Sequence, residues 1–405
     1  MRHLGVRVLA TLLLVGCSGG QAAGAKPSPE LSSPRAVPTS PVDFESFAGA
    51  YRAVDATTYV INGLGHLVRL SDGWIRQLNP TAAANHFFVG SAFMVASPKE
   101  ADVTFRVAGG RADQLTIKWP AQPAISADRL TFKETSVKVP AQGAELAATV
   151  TEPSTPGPHP GIVVVHGSER GTRILYGVWV GFYASLGFAV LSYDKRGAGD
   201  STGEFPGEYA STAALSTYAD DAVACLRTLS AWPGVDPKRV GFHGGSQGGW
   251  TVPLAMQRFP AAAFAVLVSG PAVSVDQQGT WQGYTGGSHH LPTAPESEID
   301  GALRSPGSGY NPMAVLQAID KPILWLNGEL DGQVPTTLNT EILRSLGKAN
   351  FDIQLLPRAG HSLLETGTGL VVDDDKATRL AHDLFIRISA WLAFRMSTAR
   401  VEGLS

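Results

Sequence analysis

The sequence predicts an α/β fold with a mostly parallel central sheet, preceded by a small all-β domain. From about residue 130 onward, apolar runs typical of buried strands alternate with amphipathic stretches typical of helices. Before residue 124, short alternating stretches are separated by turn signals such as Asn62-Gly63 and Gly109-Gly110. A chain of 405 residues is long enough for one large domain and a smaller companion.

The composition is that of a globular protein with a substantial core. Hydrophobic residues make up 44% of the chain and charged residues 17%. The formal net charge is -3, so the chain has no basic footprint for nucleic acid. A nucleic-acid partner is therefore not expected.

The first residues predict an export signal. Arg2, His3 and Arg7 form a positive region, and the apolar stretch that follows is too short to span a membrane. The Leu-Val-Gly-Cys sequence ending at Cys17 resembles the lipobox of bacterial lipoproteins. The resemblance implies a signal peptide over residues 1–17 and a lipid-anchored protein of the cell envelope, periplasmic or on the cell surface. The alternative is an ordinary cleaved secretory signal.

Two further inferences follow from the N-terminal region. Cys17 and Cys225 are the two cysteines of the chain, so acylation of the first leaves no disulfide within it. Residues 18–41 are rich in Gly, Ala, Ser and Pro and predict a flexible tether. The lipidated Cys17 is then the one membrane attachment that we expect.

Residues 42–124 predict the small β domain. Alternating apolar residues recur over 58–61, 66–70, 87–89, 103–107 and 115–119, as in an antiparallel sheet or barrel. The region resembles small lipocalin-like β domains. His66 and His86 are interpreted as ordinary strand or surface histidines, so we expect no catalytic group here.

Residues 125–397 predict the larger domain. Buried strands are predicted over 161–165, 188–191, 240–242, 264–268, 323–326 and 351–356, and helices near 173–185, 211–230, 248–259, 336–346 and 376–395. Two further runs, 136–139 and 146–150, predict an antiparallel pair at the start. Because ligands bind at the C-terminal ends of parallel strands, functional residues are expected there.

One such strand end carries a Gly-x-Ser-x-Gly motif. Gly244, Ser246 and Gly248 follow the strand at 240–242, and a helical stretch leaves through Trp250. This pattern favours a strained strand-turn-helix elbow that exposes the serine hydroxyl as a nucleophile. The alternative is a glycine-rich turn without chemistry.

Further motifs stand at the other strand ends, in the same order as in a known family. They are His166-Gly167-Ser168, Tyr193-Asp194-Lys195-Arg196-Gly197, Gly328-Glu329-Leu330-Asp331 and Gly360-His361. With the serine motif, they make residues 130–394 resemble the α/β-hydrolase superfamily, particularly bacterial esterases, dienelactone-hydrolase-like enzymes and prolyl-oligopeptidase-type catalytic domains.

The resemblance implies a catalytic triad of Ser246, Asp331 and His361. An imidazole can take the serine proton and return it near neutral pH, and a carboxylate on its other nitrogen fixes the tautomer. Glu329 is the alternative acid. His243 and His166 also lie near strand ends, but His243 is expected to pack beneath the elbow.

Backbone amides are expected to form the oxyanion hole. The Gln247 amide follows the serine, and the Ser168 amide lies in the turn after Gly167, with Glu169 as its alternative. The charged loop Asp194–Ser201 is interpreted as structural bracing rather than as a substrate contact.

A short lid is predicted near residues 271–311. His289, His290, Glu296 and Glu298 lie within it, but their spacing matches no recognised metal motif. Neither a metal nor a cofactor is therefore expected.

The sequence thus predicts an exported serine hydrolase that cleaves a small-molecule carboxylic ester through an acyl-enzyme. One alternative is a peptidase or amidase of prolyl-oligopeptidase type, and another is a non-catalytic envelope binding protein. Acyl and alcohol specificity and oligomeric state stay open.

Overall fold

The structure is a computed structural model that describes residues 42–207, 210–305, 307 and 309–402. The predicted signal peptide, lipobox and tether lie outside the described residues. Within the described part, no helix has the length and apolar character needed to cross a membrane.

The first part of the chain folds into a nine-stranded antiparallel sheet, in the order β4-β3-β2-β1-β9-β8-β7-β6-β5. The hydrogen bond from Gln77 N to Phe93 O (2.8 Å) helps to bring its two ends together, so the sheet is nearly closed. Its core is rich in aromatic side chains because alternate residues of each strand face inward. The strands are β1 Gly49–Ala53, β2 Thr58–Ile61, β3 His66–Arg69, β4 Ile75–Gln77, β5 Asn79–Pro80, β6 His86–Gly90, β7 Lys99–Ala108, β8 Arg111–Lys118 and β9 Ile125–Arg129.

Strand β9 lies beyond the boundary predicted after residue 124. It pairs with both β1 and β8, so the first sheet continues to Arg129. The sequence places this strand with the larger domain because its pattern, Ile-Ser-Ala-Asp-Arg, carries little apolar signal.

The second part contains an eight-stranded sheet in the order β10-β11-β13-β12-β14-β15-β16-β17. The strands β12 to β17 pair with one another in parallel, whereas β10 pairs antiparallel with β11, and β11 pairs antiparallel with β13. The prediction of a mostly parallel sheet is therefore right in part, and the sheet is mixed. Its strands are β10 Phe132–Ala141, β11 Ala144–Pro153, β12 His159–Val165, β13 Ala189–Tyr193, β14 Val235–Gly245, β15 Ala265–Val268, β16 Ile323–Gly328 and β17 Phe351–Leu356.

Helices cover both faces of this mixed sheet. Apolar side chains of α2, α3 and α7 pack on one face, and those of α1 and α9 pack on the other. This burial explains the continuous apolar runs of the central strands. The helices are α1 Gly177–Ser185, α2 Thr212–Ser230, α3 Gly248–Arg258, α4 Val275–Thr285, α5 Glu296–Leu303, α6 Met313–Ala318, α7 Thr336–Ser345, α8 Val371–Asp374 and α9 Leu384–Glu402.

Two helix boundaries differ from the sequence-based expectation. The stretch predicted as a helix from 173 begins with a 3-10 turn, and α1 starts at Gly177. The last helix starts at Leu384 rather than near 376, because residues 377–380 bind the first sheet instead. Phe93 N donates to Ala377 O (2.7 Å), and Leu380 N donates to Gly73 O (2.7 Å).

Candidate active site

Ser246 sits on the sharp turn between β14 and α3. Its backbone φ is +50°, in the left-handed region that residues other than glycine rarely adopt. The turn also requires close approach of backbone, because a Cβ at Gly249 would lie 2.6 Å from the Cα and carbonyl carbon of Gly270. The geometry is that of the elbow predicted from the Gly-x-Ser-x-Gly motif.

The structure brings the three predicted triad residues together. His361 Nε2 lies 3.0 Å from Ser246 Oγ, and His361 Nδ1 lies 2.8 Å from Asp331 Oδ2. Because a carboxylate only accepts hydrogen bonds, Nδ1 carries the proton and Nε2 accepts from the serine hydroxyl. This is the tautomer that a general base on Ser246 needs.

Asp331 is fixed by its own loop. Its Oδ1 accepts hydrogen bonds from Gln333 N (2.7 Å) and Val334 N (2.9 Å), which leaves Oδ2 for His361. The alternative acid, Glu329, instead accepts from Arg358 N (3.3 Å). The structure therefore places Asp331, and not Glu329, on the imidazole.

His243 and His166, the other two histidines near strand ends, do not hydrogen-bond to Ser246. His243 is fully buried beneath the elbow, where its Nδ1 lies 3.0 Å from Tyr183 Oη and its ring packs against Trp179. Burial lowers the pKa of His243 to about 3, so it stays neutral. His166 Nε2 donates to Tyr193 O (2.5 Å), and its Nδ1 lies 3.4 Å from Glu169 Oε1.

The predicted oxyanion residues lie on either side of the serine. Gln247 follows Ser246 directly, and the turn after β12 approaches from the other side, where a Cβ on Gly167 would lie 3.4 Å from Ser246 Cβ. Ser168 is buried in this turn. Whether its amide or that of Glu169 faces the substrate stays a prediction.

The loop Asp194–Ser201 braces its neighbours, as the sequence interpretation holds. Asp194 accepts from Arg173 Nη1 (2.5 Å) and from Asp200 N (2.9 Å), and Arg196 forms a bidentate pair with Asp221. The pair of Arg196 and Asp221 is buried, so removal of either partner would leave an uncompensated charge in the interior.

Sequence reasoning missed a buried polar cluster behind the turn after β12, residues 166–169, here called the oxyanion turn. Tyr176 Oη accepts from Gly167 N (2.8 Å) and donates to Glu169 Oε1 (2.6 Å), while Lys195 Nζ donates to Gly167 O (2.6 Å). Burial opposes ionisation of Glu169, but the nearby His166, 3.4 Å away, and the charge of Lys195 hold its pKa below the ordinary value. The sequence feature that could have indicated this cluster is the presence of charged residues, Glu169 and Lys195, within two of the strand-end motifs.

Asp374 is a second residue that the sequence analysis did not single out. Its side chain is buried next to the loop after β17 that carries His361, here called the histidine loop, where Ser362 Oγ donates to Oδ2 (2.8 Å). Burial raises the pKa of Asp374 to about 7, while the Ser362 hydrogen bond and the charge of His361 act in the opposite direction.

Helices α4 and α5 occupy the stretch predicted as a lid. Trp281 Nε1 donates to Asp331 O (3.1 Å), which ties α4 to the acid loop. A cavity of about 490 Å³ lies between these helices and that loop, but neither Ser246 nor His361 lines it. Among the described residues, no group of three or more potential ligands is placed to hold a metal.

The fold and the Ser246–His361–Asp331 geometry, together with a family match, support a serine hydrolase of the α/β-hydrolase superfamily. The matching model describes the prolyl oligopeptidase family and covers residues 178–379, just under half of the chain. An uncharacterized protein of Mycobacterium tuberculosis is 28% identical over 219 residues, which cover 54% of this chain and 68% of the relative.

Solved structures with similar folds include several hydrolases. An esterase of Pyrococcus furiosus has 17% identity and a TM-score of 0.46, covering 65% of this chain and 92% of its own. Dipeptidyl peptidase 4 of Porphyromonas gingivalis has 20% identity and a TM-score of 0.45, covering 84% of this chain and 47% of its own. The assignment of the superfamily rests on the sheet, the site geometry and the family match.

Proposed function

We propose that the protein is a carboxylesterase that works through an acyl-enzyme on Ser246. The observation that carries the acyl-enzyme is the continuous hydrogen-bonded chain from Ser246 Oγ through His361 to Asp331. The preference for an ester over an amide rests on the resemblance of the strand-end motifs to those of bacterial esterases. All three residues are at most 5% exposed, so bulk water has little access to the hydrogen bonds between them.

The reaction proceeds in two acyl transfers. Ser246 Oγ attacks the ester carbonyl carbon while its proton moves to His361 Nε2, and the carbonyl electrons move onto the oxygen. Collapse of this intermediate expels the alcohol, which takes the proton from His361. Water then attacks the acyl-enzyme by the same route and releases the carboxylic acid and free Ser246.

Two charges develop during the reaction, one on the carbonyl oxygen and one on the imidazole, and each has neighbouring groups that are proposed to stabilise it. The amides of Gln247 and Ser168 are proposed to hold the oxyanion, and Asp331 keeps His361 in the correct tautomer and stabilises the imidazolium. No step calls for a metal or a cofactor.

Covalent labelling by a fluorophosphonate probe tests the nucleophile. We expect the wild type to be labelled and Ser246→Ala to be unlabelled and inactive, because the probe reacts with an activated serine. We also expect Asp331→Asn to reduce kcat by about 10⁴-fold, since the wrong imidazole tautomer is then favoured. Glu329→Gln is the matched control in the same loop and should keep wild-type kcat. Undiminished labelling of Ser246→Ala contradicts the proposal and favours a role without this chemistry.

A peptidase activity is the second candidate, and the match to the prolyl oligopeptidase family favours it. Parallel assays with p-nitrophenyl acyl esters and aminoacyl amides separate the two activities. We expect ester turnover to dominate. Amide turnover with negligible ester turnover makes the protein a peptidase with the same triad.

We further propose that the protein is exported and anchored through Cys17. The proposal rests on the lipobox-like sequence alone. Cells that express the full chain should incorporate radiolabelled palmitate into the wild type and not into Cys17→Ala. Equal labelling of both proteins contradicts the anchor.

A further inference from the structure

A buried ammonium group lies behind both predicted oxyanion donors. Lys195 is 3% exposed, and its Nζ donates to Gly167 O (2.6 Å), to Glu169 O (3.3 Å) and to Gln247 Oε1 (3.3 Å). One side chain from the loop after β13 thus joins the turn after β12 to the residue that follows the nucleophile. A lysine that only braced neighbouring loops could bind any nearby acceptors, whereas Lys195 binds acceptors in the two segments that carry the predicted oxyanion donors.

The contact with Gly167 O has a direct consequence for the Ser168 amide. Gly167 O and Ser168 N belong to one planar peptide group, in which the C=O and N–H bonds point in opposite directions. A cation that fixes the carbonyl oxygen therefore also fixes the direction of the N–H. It also polarises the peptide, because hydrogen bonds in series strengthen one another in a low-dielectric interior.

The neighbouring groups of the turn are held as well. Gly167 N donates to Tyr176 Oη, and Tyr176 Oη donates to the Glu169 carboxylate. With Lys195 on the Gly167 and Glu169 carbonyls, the peptide that carries the Ser168 N–H is fixed from both sides. A preorganised donor of this kind stabilises charge that develops during the reaction without reorganising.

Three acceptors surround Lys195 Nζ, and only the ammonium form carries three protons to donate to them. Its Nζ lies 4.0 Å from the centre of the Tyr218 ring, and it interacts electrostatically with the carboxylates of Glu169 and Asp221. Buried charges of this kind are retained only where they are paired or hydrogen-bonded. A lysine at this place is costly to bury, and its hydrogen bonds are directed at the oxyanion turn.

We infer that Lys195 is a positioning residue for the oxyanion hole, acting through the Gly167–Ser168 peptide and the Gln247 side chain. The inference rests on the proposed serine hydrolase function and on Ser168 as an oxyanion donor. Lys195 does not contact the substrate. Its effect belongs to the stabilisation of the tetrahedral intermediate, and substrate binding in the ground state is unaffected.

Kinetics of three Lys195 variants test this role, with the p-nitrophenyl ester that the wild type turns over fastest. We expect Lys195→Met to lower kcat by about 10- to 100-fold with KM within about threefold, less than the loss of a whole oxyanion donor. Lys195→Arg, which keeps the charge, should recover most of kcat. Lys195→Gln, which keeps a donor without the charge, should fall between Arg and Met.

A trifluoromethyl ketone of matched chain length gives an independent readout. It forms a hemiketal oxyanion on the serine, so its affinity should fall by the same factor as kcat in each variant. Lys138→Met is the matched control, because Lys138 Nζ donates to Asp200 O (3.1 Å) in the same loop but on the protein surface. We expect this control to keep wild-type kcat, KM and inhibitor affinity.

Three outcomes overturn the inference. They are wild-type kcat in Lys195→Met, a loss confined to KM, and a loss of kcat without a matching loss of inhibitor affinity. If Lys195→Met fails to fold by circular dichroism, the Arg and Gln variants decide, and equal kcat in these two overturns the role of the charge. Activity that survives in Ser246→Ala instead removes the proposed function itself, so the two failures are distinguishable.

Discussion

Asp374 shows at the scale of one residue how burial is coupled to pH. Its carboxyl group is buried, and its pKa in the folded state is raised from 3.8 to about 7. The folded protein therefore holds a proton on Asp374 between about pH 4 and pH 7, where the unfolded chain has lost it. Stability then falls as the pH rises through this window, and the penalty is complete above pH 7.

Asp374→Asn is expected to remove that penalty, because the amide keeps an acceptor for Ser362 Oγ and carries no charge. We expect the variant to raise the free energy of unfolding by ~1–3 kcal/mol at pH 8, since each pKa unit corresponds to about 1.4 kcal/mol. At pH 4 the difference should nearly vanish. Urea unfolding at both pH values measures it, and Asp320→Asn, at a side chain that is 84% exposed, is the control. A gain that is equal at pH 4 and pH 8 contradicts the coupling.

The sequence could identify Ser246, Asp331 and His361 as candidates because each follows a recognisable strand in the order that the fold requires. It could not identify the role of Lys195. The contact with Gly167 O depends on how far a long side chain reaches across neighbouring strands, and residue spacing does not encode that. The sequence also does not predict the burial of Asp374, because a run of three aspartates is typical of an exposed segment.

At the scale of elements, the approach of α3 to the loop after β15 positions the nucleophile. A Cβ at Gly249 would lie 2.6 Å from backbone atoms of Gly270, closer than packed atoms tolerate. We expect Gly249→Ala to displace the start of α3, to lower stability by ~1–3 kcal/mol and to reduce kcat, because Ser246 precedes this helix directly.

Gly279→Ala is the matched control for this prediction. Gly279 lies within α4, and a Cβ there meets no atom within 4 Å. The substitution should stabilise the helix by up to ~1 kcal/mol through alanine's higher helix propensity and leave kcat unchanged. Thermal unfolding and ester kinetics of both variants check the pair. Wild-type stability and kcat in Gly249→Ala contradict the close-approach explanation.

The apolar runs predicted the central strands well because burial on both faces leaves a strong sequence signal. Predictions at the sheet margins were weaker. Ala127 is the one fully buried residue of strand β9, Ile125 packs on the core only in part, and the pairing with β1 connects residues about 75 positions apart. Residues 377–380 are also extended because of contacts with the first sheet, which a helical period cannot reveal.

At the scale of the whole molecule, the first sheet and the mixed-sheet region share packing. Val68, Ile75 and Phe93 of the first region belong to the same apolar cluster as Trp179 of α1 and Phe385 of α9. A polar contact reinforces it, because Arg76 Nη1 donates to Thr378 O (2.8 Å). The first sheet thereby holds the segment that follows the histidine loop, and the two regions are expected to unfold together.

Arg76→Met tests this shared stability. The Arg76 side chain is 4% exposed and also pairs with Gly90 O and with the half-buried Glu100 carboxylate, so its loss leaves these acceptors without their partner. We expect a fall of ~2–4 kcal/mol in the free energy of unfolding. The exposed pair of Arg106 and Asp113 in the same sheet supplies the control, and Arg106→Met should leave the free energy of unfolding close to that of the wild type.

Differential scanning calorimetry distinguishes one cooperative unit from two independent ones. If the shared cluster couples the regions, Arg76→Met should lower the Tm of a single transition, and ester hydrolysis should be lost over the same temperature range. The coupling is contradicted if the protein unfolds in two separate transitions, if ester hydrolysis survives the first of them, and if Arg76→Met shifts only that first transition. In that case the first sheet does not stabilise the active site, because His361 keeps its contacts with Ser246 and Asp331 after the first sheet has unfolded.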